Sequence, residues 1–490
     1  MKLHTFLLAV SLLAFGAASA VEVDCTPGTL ASRLGTSAAT ETTLTVSGSL
    51  DARDLFFIAD EMPALRTLDL AGANIAAYSG ERLKGNLSYP AATIPAMTFA
   101  GSRITEITFP AAGVTLGNGA LAGSALTSLT LTPKVNASGS GVFSDCAGLT
   151  SIATGGATLG DHMFMGLTAL TTADLTGNAE LPEGIFQNCT ALQSVTGSES
   201  LTAIGAYAFD GCTALKQIAL KDIRSIGDRA FYGSGLTSLD LAEASNLKTI
   251  GRYAFADEDA LVSVCLPGSV TSVGAGAFFN CTALSAVVFP AIDMAAYTFT
   301  HAPLSASGET LLPEGLTSIG DYALADASGL STLQLPSTLS YLGDGAMEKT
   351  ISLKTIDAET VKEVPALGES VWAGIDQSTV SLDVSPDLAP AFRAAEQWNE
   401  FNVNAQSTLT EDMVAPAALE ARFVGPILEV RSSGAEIAAV SLYDIAGNLL
   451  MRSGLNASEG SLDTSAIGGN LFIVRLQLAD GTDRALKMLR

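Results

Sequence analysis

The chain has 490 residues, 48% of them hydrophobic and only 15% charged, with a formal net charge of −25. That composition is globular rather than disordered. The acidity argues against nucleic-acid or anionic-lipid partners, which select clustered Lys and Arg, and reads as a solubility device for an apolar-rich chain.

The first twenty residues read as an export signal. Lys2 and His4 precede an apolar run from Phe6 to Phe15, and Ala18-Ser19-Ala20 is an A-x-A cleavage site. The mature chain is expected to start near Val21. Glu22-Val23-Asp24 before Cys25 is not the small-residue box of a lipoprotein. No later segment approaches the roughly 20 uncharged residues needed to span a bilayer. Residues 21–90 read as an N-terminal cap with a divergent first repeat, carrying the strand-like runs Leu44 to Leu50 and Leu65 to Leu70.

From Phe99 onward a bulky apolar residue returns every 21 to 25 residues: Phe99, Leu121, Phe143, Phe164, Phe186, Phe209, Phe231, Phe255, Phe278, Phe299, Leu324 and Met347. A period of that length means stacked supersecondary units, each unable to bury its apolar edge alone. An aliphatic residue precedes the Phe by five places, usually with Gly after it to permit a turn, as in Ile204-Gly205, Ile250-Gly251 and Leu342-Gly343. Past the Phe come a Leu and an alternating apolar pair, for example Leu261, Val264 and Leu266, the period-two signature of a strand. Pro267, Pro290 and Pro336 end such strands. Between Phe and Leu the segment is too short for a standing helix, so one helical turn or irregular structure is expected there. Cys146, Cys189, Cys212 and Cys281 each lie three residues after the Phe. They are copies of one buried corner, and a ladder of free thiols is expected rather than disulfides. With strands about 4.8 Å apart, some twelve repeats would stack to roughly 60 Å.

Two stretches carry a resemblance. Ile204 to Leu220 (IGAYAFDGCTALKQIAL) and Val273 to Pro290 (VGAGAFFNCTALSAVVFP) resemble the BspA-like leucine-rich repeat of Bacteroidetes-type surface proteins, over about residues 91 to 360. The resemblance implies a mainly β solenoid of about 12 units of roughly 22–23 residues, spanning residues 91–405 with its C-terminal cap. Val380 to Phe401 resembles the closing element of that family, with Trp398 and Phe401 as a plug over the last repeat. Surface display and adhesion are what the resemblance implies for function.

Residues 406–424 read as a linker. Residues 425–490 show short alternating strands at Ile427 to Val430, Ile437 to Tyr443, Leu449 to Met451, Leu471 to Leu478 and Ala485 to Leu489, separated by turn signals, which suggests a small β-sandwich. This segment is similar to the sorting domain of type IX secretion cargo, through Val440-Ser441-Leu442-Tyr443-Asp444 with Gly447, Leu462-Asp463-Thr464-Ser465, Phe472-Ile473-Val474-Arg475, Gly481 and Lys487. Asn470 stands where that family usually has Gly. The similarity implies delivery to the outer-membrane surface, or secretion, in a Gram-negative bacterium, with cleavage and anchoring.

Chemistry is sparse. His162 and His301 lie far apart in repeat turns, where a hydrated loop position is expected for each, and no nucleophile elbow, phosphate loop or zinc motif occurs. Asp257-Glu258-Asp259 is the densest acidic run but lacks a calcium loop's spacing. The expectation is therefore no enzyme, no metal and no cofactor. Candidate binding residues form the outward column of the strand face: Thr108, Thr130, Asp174, Thr196, Asp240 and Gln334, with Ala219, Cys265 and Val288 between them. That column lacks the aromatic and Arg anchors of tight interfaces, so a distributed, multivalent contact with a protein or host extracellular-matrix ligand is expected. A spacer role in the envelope is one alternative. An accessory glycan-binding role is another, and it would want exposed aromatic platforms, which the repeat array is expected to lack.

Overall fold

In a computed structural model the described residues are 20–241, 243–305, 311–405 and 419–489, apart from 425, 433–435, 444–448, 469–470 and 480–482. The export signal up to Ser19, most of the linker, and Asp444, Gly447, Asn470 and Gly481 of the sorting resemblance lie outside them. The chain divides into two compact units, residues 1–197 and 198–490.

In the first unit, Ala20–Cys25, Thr43–Leu50, Thr67–Ile75 and Glu106–Thr108 form one parallel sheet. The N-terminal segment thus continues the strand column of the repeats, with the helix Ala52–Glu61 as a return segment. Asp51 opens that helix with a capping box completed by Asp54. Asp54 is itself buried and accepts the N–H groups of Gly28 and Leu30. Ser151–Ala153, Thr172–Asp174 and Ser194–Thr196 form a second sheet of the same column.

The aliphatic-Gly segment, expected to be a turn, adds a second column of strands. Thr93–Ile94, Val114–Leu116, Val135–Ala137 and Thr158–Leu159 pair in parallel in the first unit. Ala203–Ile204, Ser225–Ile226, Thr249–Ile250 and Ser272–Val273 do so in the second. The glycine is needed because the preceding turn lies against it: a methyl on Gly227 or Gly274 would collide with the backbone of Ala206 or Arg252 in the preceding repeat.

The segment around the Phe forms no helix. It makes a third set of inter-repeat bonds, in which the N–H groups at the Phe and two places either side each donate to the following repeat. Tyr207, Phe209 and Gly211 bond to the carbonyls of Asp228, Ala230 and Tyr232 in this way. The backbone is left-handed at both flanking places. Two residues before the Phe stand Met97, His162, Tyr207, Arg229, Tyr253, Tyr297 and Tyr322, or Gly; two residues after it stand Asp145, Asn188, Asp257, Asn280, His301, Asp326 and Lys349, or Gly. The second set is the Asn/Asp/His-rich population expected at positive φ. In the first set Tyr and Arg hold a conformation that costs an L-residue about 1–2 kcal/mol.

Every member of the Phe column is at most 1% exposed. The rings stack in register, Phe143 on Phe164 at 5.9 Å and Phe164 on Phe186 at 5.6 Å in the first unit. In the second unit Phe209, Phe231, Phe255, Phe278 and Phe299 follow at 5.1–5.4 Å with planes within 10°. All six cysteines are buried thiols not joined in disulfides. Cys146, Cys189 and Cys281 each point the thiol at the carbonyl of the column residue one repeat back, at 3.0–3.2 Å, and Thr350 does the same with its hydroxyl.

After the last repeat, Ser381–Val384 and Asn402–Ala405 extend the strand column. Trp398 is buried against Trp372 and Phe392 and donates to the Pro365 carbonyl. The Gln397 amide accepts the Val371 N–H and donates to Gly368, replacing the backbone of a repeat that does not follow. Beyond it, Leu419–Val424, Ile427–Ser432 and Glu459–Asp463 form one antiparallel sheet. The first of these strands falls in the stretch read as linker. Leu449–Ala457, Ile437–Tyr443, Leu471–Leu478 and Asp483–Leu489 form a second sheet, and the two share a core of Leu428, Val430, Val440, Leu442, Leu462, Phe472 and Val474.

Candidate functional site

The strand face carries two outward columns, because successive side chains of a strand point to opposite sides. Thr108, Thr130 and Thr196 are exposed, as are Ser128, Ser151, Thr172 and Ser194 beside them. Asp174 and Gln334 are half-buried, and Asp174 is the register partner of Thr196. The Asp174 carboxylate accepts the N–H and hydroxyl of Thr176, which lowers its pKa below the ordinary carboxylate range. Asp240 lies in a strand paired with Cys265, but its side chain is outside the described residues. Cys265 departs from the expected outward column: it is buried, 4% exposed.

Thr108 and Thr130 come together. The sheet ending at Glu106–Thr108 and the sheet starting at Ser151–Ala153 are separated by a repeat whose strand is reduced to a single bridge, Thr130 to Ala153. The break opens a cleft of about 600 Å³ lined by Thr108, Phe109, Thr130, Thr132, Pro133 and Lys134, with Glu106 at its side. The Lys134 ammonium is held on the Ala111 carbonyl.

A second surface was not singled out in the sequence. At the left-handed position two residues before the Phe, bulky side chains lean forward over the next repeat. A methyl on Gly276 would strike the Tyr253 ring, one on Gly345 the Tyr322 ring, and one on Gly184 the His162 ring. Tyr297 and Tyr322 stack at 5.4 Å with planes 8° apart. Arg229 lies 5.6 Å from the Tyr207 centroid and 3.9 Å from that of Tyr232, with Asp210 4.0 Å from its guanidinium. Tyr232 hydrogen-bonds Asp257, which raises the phenol pKa. His301 is exposed in its turn, as expected, with its ring 5.5 Å from that of Phe279 and tilted 56° to it. These rings are half-buried or exposed, so the expectation of an array without exposed aromatic platforms is corrected. The signal was available: the column two places before the Phe reads Tyr, Arg, Tyr, Gly, Tyr, Tyr from residue 207 to 322.

Acidic residues do more than keep the chain soluble. One place after the aliphatic-Gly pair, Asp161, Asp228, Asp321 and Asp344 each accept the N–H of the equivalent residue in the next repeat, at 2.7–3.2 Å. Glu258 occupies the thiol column and is fully buried. Its Oε1 accepts the Ser234 N–H and hydroxyl at 2.7 and 2.6 Å, and its Oε2 accepts the Leu236 N–H at 2.6 Å. The repeat starting at Phe231 is one residue short in that turn, and the carboxylate of the next repeat serves the N–H groups the shortening leaves over. Burial raises its pKa to about 7 although the three donors pull it down. Among the described residues no group of three or more His, Cys, Asp or Glu side chains could hold a metal ion, and no helix is long and apolar enough to cross a membrane.

The sequence profile of the BspA type leucine rich repeat region matches residues 83–193, 179–305 and 293–380. The chain belongs to the BspA-type leucine-rich repeat family. This BspA-type repeat protein is similar to a solved leucine-rich repeat protein of Bacteroides ovatus, at 16% identity over 74% of this chain and 84% of that one, with a TM-score of 0.48. A leucine rich cell surface protein of Faecalibacterium prausnitzii matches at 16% identity over 70% and 88%, TM-score 0.28. The pneumococcal vaccine antigen PcpA matches at 12% over 75% and 84%, TM-score 0.27. At these identities and scores none of the three likenesses bears on function. A search of curated proteins finds no significant match.

Proposed function

We propose that this protein is a non-enzymatic, exported repeat protein of a Gram-negative cell surface, or a secreted one, that binds a macromolecule through its strand face. The supporting observation is the cleft at the broken ladder, where Thr108 and Thr130 meet beside exposed Ser/Thr columns. Those columns repeat one weakly polar chemistry at the strand spacing, which suits an extended protein ligand held by many modest contacts. An extracellular-matrix protein is the proposed partner.

Immobilised matrix proteins titrated with the mature chain test this reading. Saturable binding that falls at least tenfold in a Thr108→Arg, Thr130→Arg double variant is the expected result. No binding to any matrix protein would leave the spacer role ahead. The sorting role of residues 425–490 rests on the sequence similarity. Deleting them should leave the protein in the periplasm, and unchanged surface display would end that part of the proposal.

A further inference from the structure

The turn face of the second unit offers a ligand site of different chemistry. We propose that the line Tyr207, Arg229, Tyr253, Tyr297 and Tyr322 is a binding strip for an extended, uncharged polysaccharide, lying along the stack with its sugar rings against the tyrosines.

Four observations carry it. The side chains occupy one structural position over six consecutive repeats, with Gly276 filling it in the fourth, so they form a line with one gap and not a scatter. The rise between repeats, 5.1–5.4 Å between neighbouring Phe rings beneath the strip and 5.4 Å between Tyr297 and Tyr322 on it, is the advance of one sugar unit along an extended glycan. A fold with that rise keeps its ring-bearing repeats in register with the sugars of a regular polymer.

The rings are also placed as platforms. Tyr253 and Tyr322 lie over glycines of the following repeat, Gly276 and Gly345, which gives each an inner side packed on the protein and leaves it half-exposed outside. The electron-rich face of a phenol attracts the weakly positive C–H face of a pyranose, while its hydroxyl and neighbouring polar groups can meet the sugar hydroxyls. Such neighbours are present. Asp228 and Asp321 stand immediately before Arg229 and Tyr322, each with Oδ1 held by a backbone N–H of the next repeat and the carboxylate exposed.

Finally, carboxylates outnumber cations along the strip, with Asp210, Asp228, Asp257 and Asp321 against Arg229 and Arg252. Arg229 faces Asp210, Tyr232 is bonded to Asp257, and Asp257 also accepts the Asn280 amide at 2.8 Å. A polyanion would need uncompensated cations, and the chain carries −25 overall. Tyr and Arg also anchor protein interfaces; the repetition of the rings at the advance of a sugar unit is what favours a polysaccharide.

The test uses the full mature chain in native affinity electrophoresis through gels containing soluble xyloglucan, mixed-linkage β-glucan, galactomannan or arabinoxylan, with heparin and a matrix protein in parallel. Retardation by at least one neutral polymer is expected, weakened at least tenfold in a Tyr253→Ala, Tyr322→Ala double variant. Gly276→Ala should weaken it severalfold without removing any ring, because the added methyl displaces Tyr253. Far-UV circular dichroism of each variant checks that the stack is intact. The proposal is overturned by no retardation in any neutral polymer, by retardation that the variants leave unchanged, or by binding confined to heparin or to the matrix protein. The last outcome would leave the strand-face reading standing while removing this one.

Discussion

Glu258 gives a sharp test of how irregular repeats are accommodated. The carboxylate receives three donors, two on Oε1 and one on Oε2. A neutral carboxylic acid still satisfies them, because its O–H can donate back to the Ser234 hydroxyl while both oxygens accept backbone N–H groups. Glu258→Gln cannot: its NH₂ must face either the Ser234 or the Leu236 N–H and leave that donor unpaired. An unsatisfied buried donor costs about 1–3 kcal/mol, and that is the expected loss near pH 5. The comparison with pH 8 adds a sign. The folded-state pKa is raised from 4.5 to about 7, so the native form holds its proton more tightly than the unfolded chain. The stability this confers is fully present below the ordinary value and is lost as pH rises through 7. At 1.36 kcal/mol per pH unit the loss is about 3 kcal/mol. Wild type should therefore exceed the Gln variant at pH 5, and the gap should close by pH 8. Urea unfolding midpoints of both proteins at the two pH values measure it, and taking the difference cancels the other carboxylates. Equal stability at pH 5 would refute the hydrogen-bond argument; a gap independent of pH would refute the raised carboxyl pKa.

Other expectations follow from the same stack. Phe231→Ala removes a fully buried ring sandwiched between Phe209 and Phe255 and should cost about 3–5 kcal/mol, with increased amide exchange concentrated in the repeats either side because each unit contacts only its neighbours. The thiols should be inert in the native protein: burial raises the Cys189 pKa to about 12 and that of Cys281 upward as well. An aromatic disulfide reagent should then titrate them only on unfolding; rapid native reaction of these buried groups would contradict the packing. Asp344→Ala should remove the acceptor of the Glu369 N–H and cost about 0.5–1.5 kcal/mol, read as faster exchange of that amide.

Much of the architecture was legible because one alignment register exposes it. The Phe column, the thiol column and the first strand column are each set by an apolar side chain with nowhere to go but the core, and such residues announce themselves at fixed spacing. The second strand column was hidden. Ile226-Gly227 reads as a turn, since nothing in two residues reveals that the glycine is there to let the preceding turn's backbone approach. The N-terminal strands Ala20–Cys25 and Thr43–Leu50 continue the ladder without the Phe signature, because a helix, Ala52–Glu61, fills the return segment there. The burial of Glu258 was hidden for a different reason. In sequence it sits within Asp257-Glu258-Asp259, and only the one-residue deficit of the preceding repeat explains why the middle acid is buried while its neighbours are not. On the surface, the strand-face column followed from simple alternation, but the tyrosine strip required knowing that the residue before Ala-Phe adopts a left-handed backbone and throws its side chain outward over the next turn.

The central functional claim is that the repeat array, rather than the C-terminal β-strands, carries recognition. Hydrogen–deuterium exchange of the mature chain, free and saturated with whichever matrix protein or neutral polysaccharide it binds, tests this most directly. The account predicts new protection at residues 105–132 for a matrix protein, or at residues 205–324 for a polysaccharide, with residues 419–489 unchanged. Protection confined to 419–489, with both array segments exchanging as in the free protein, would contradict it.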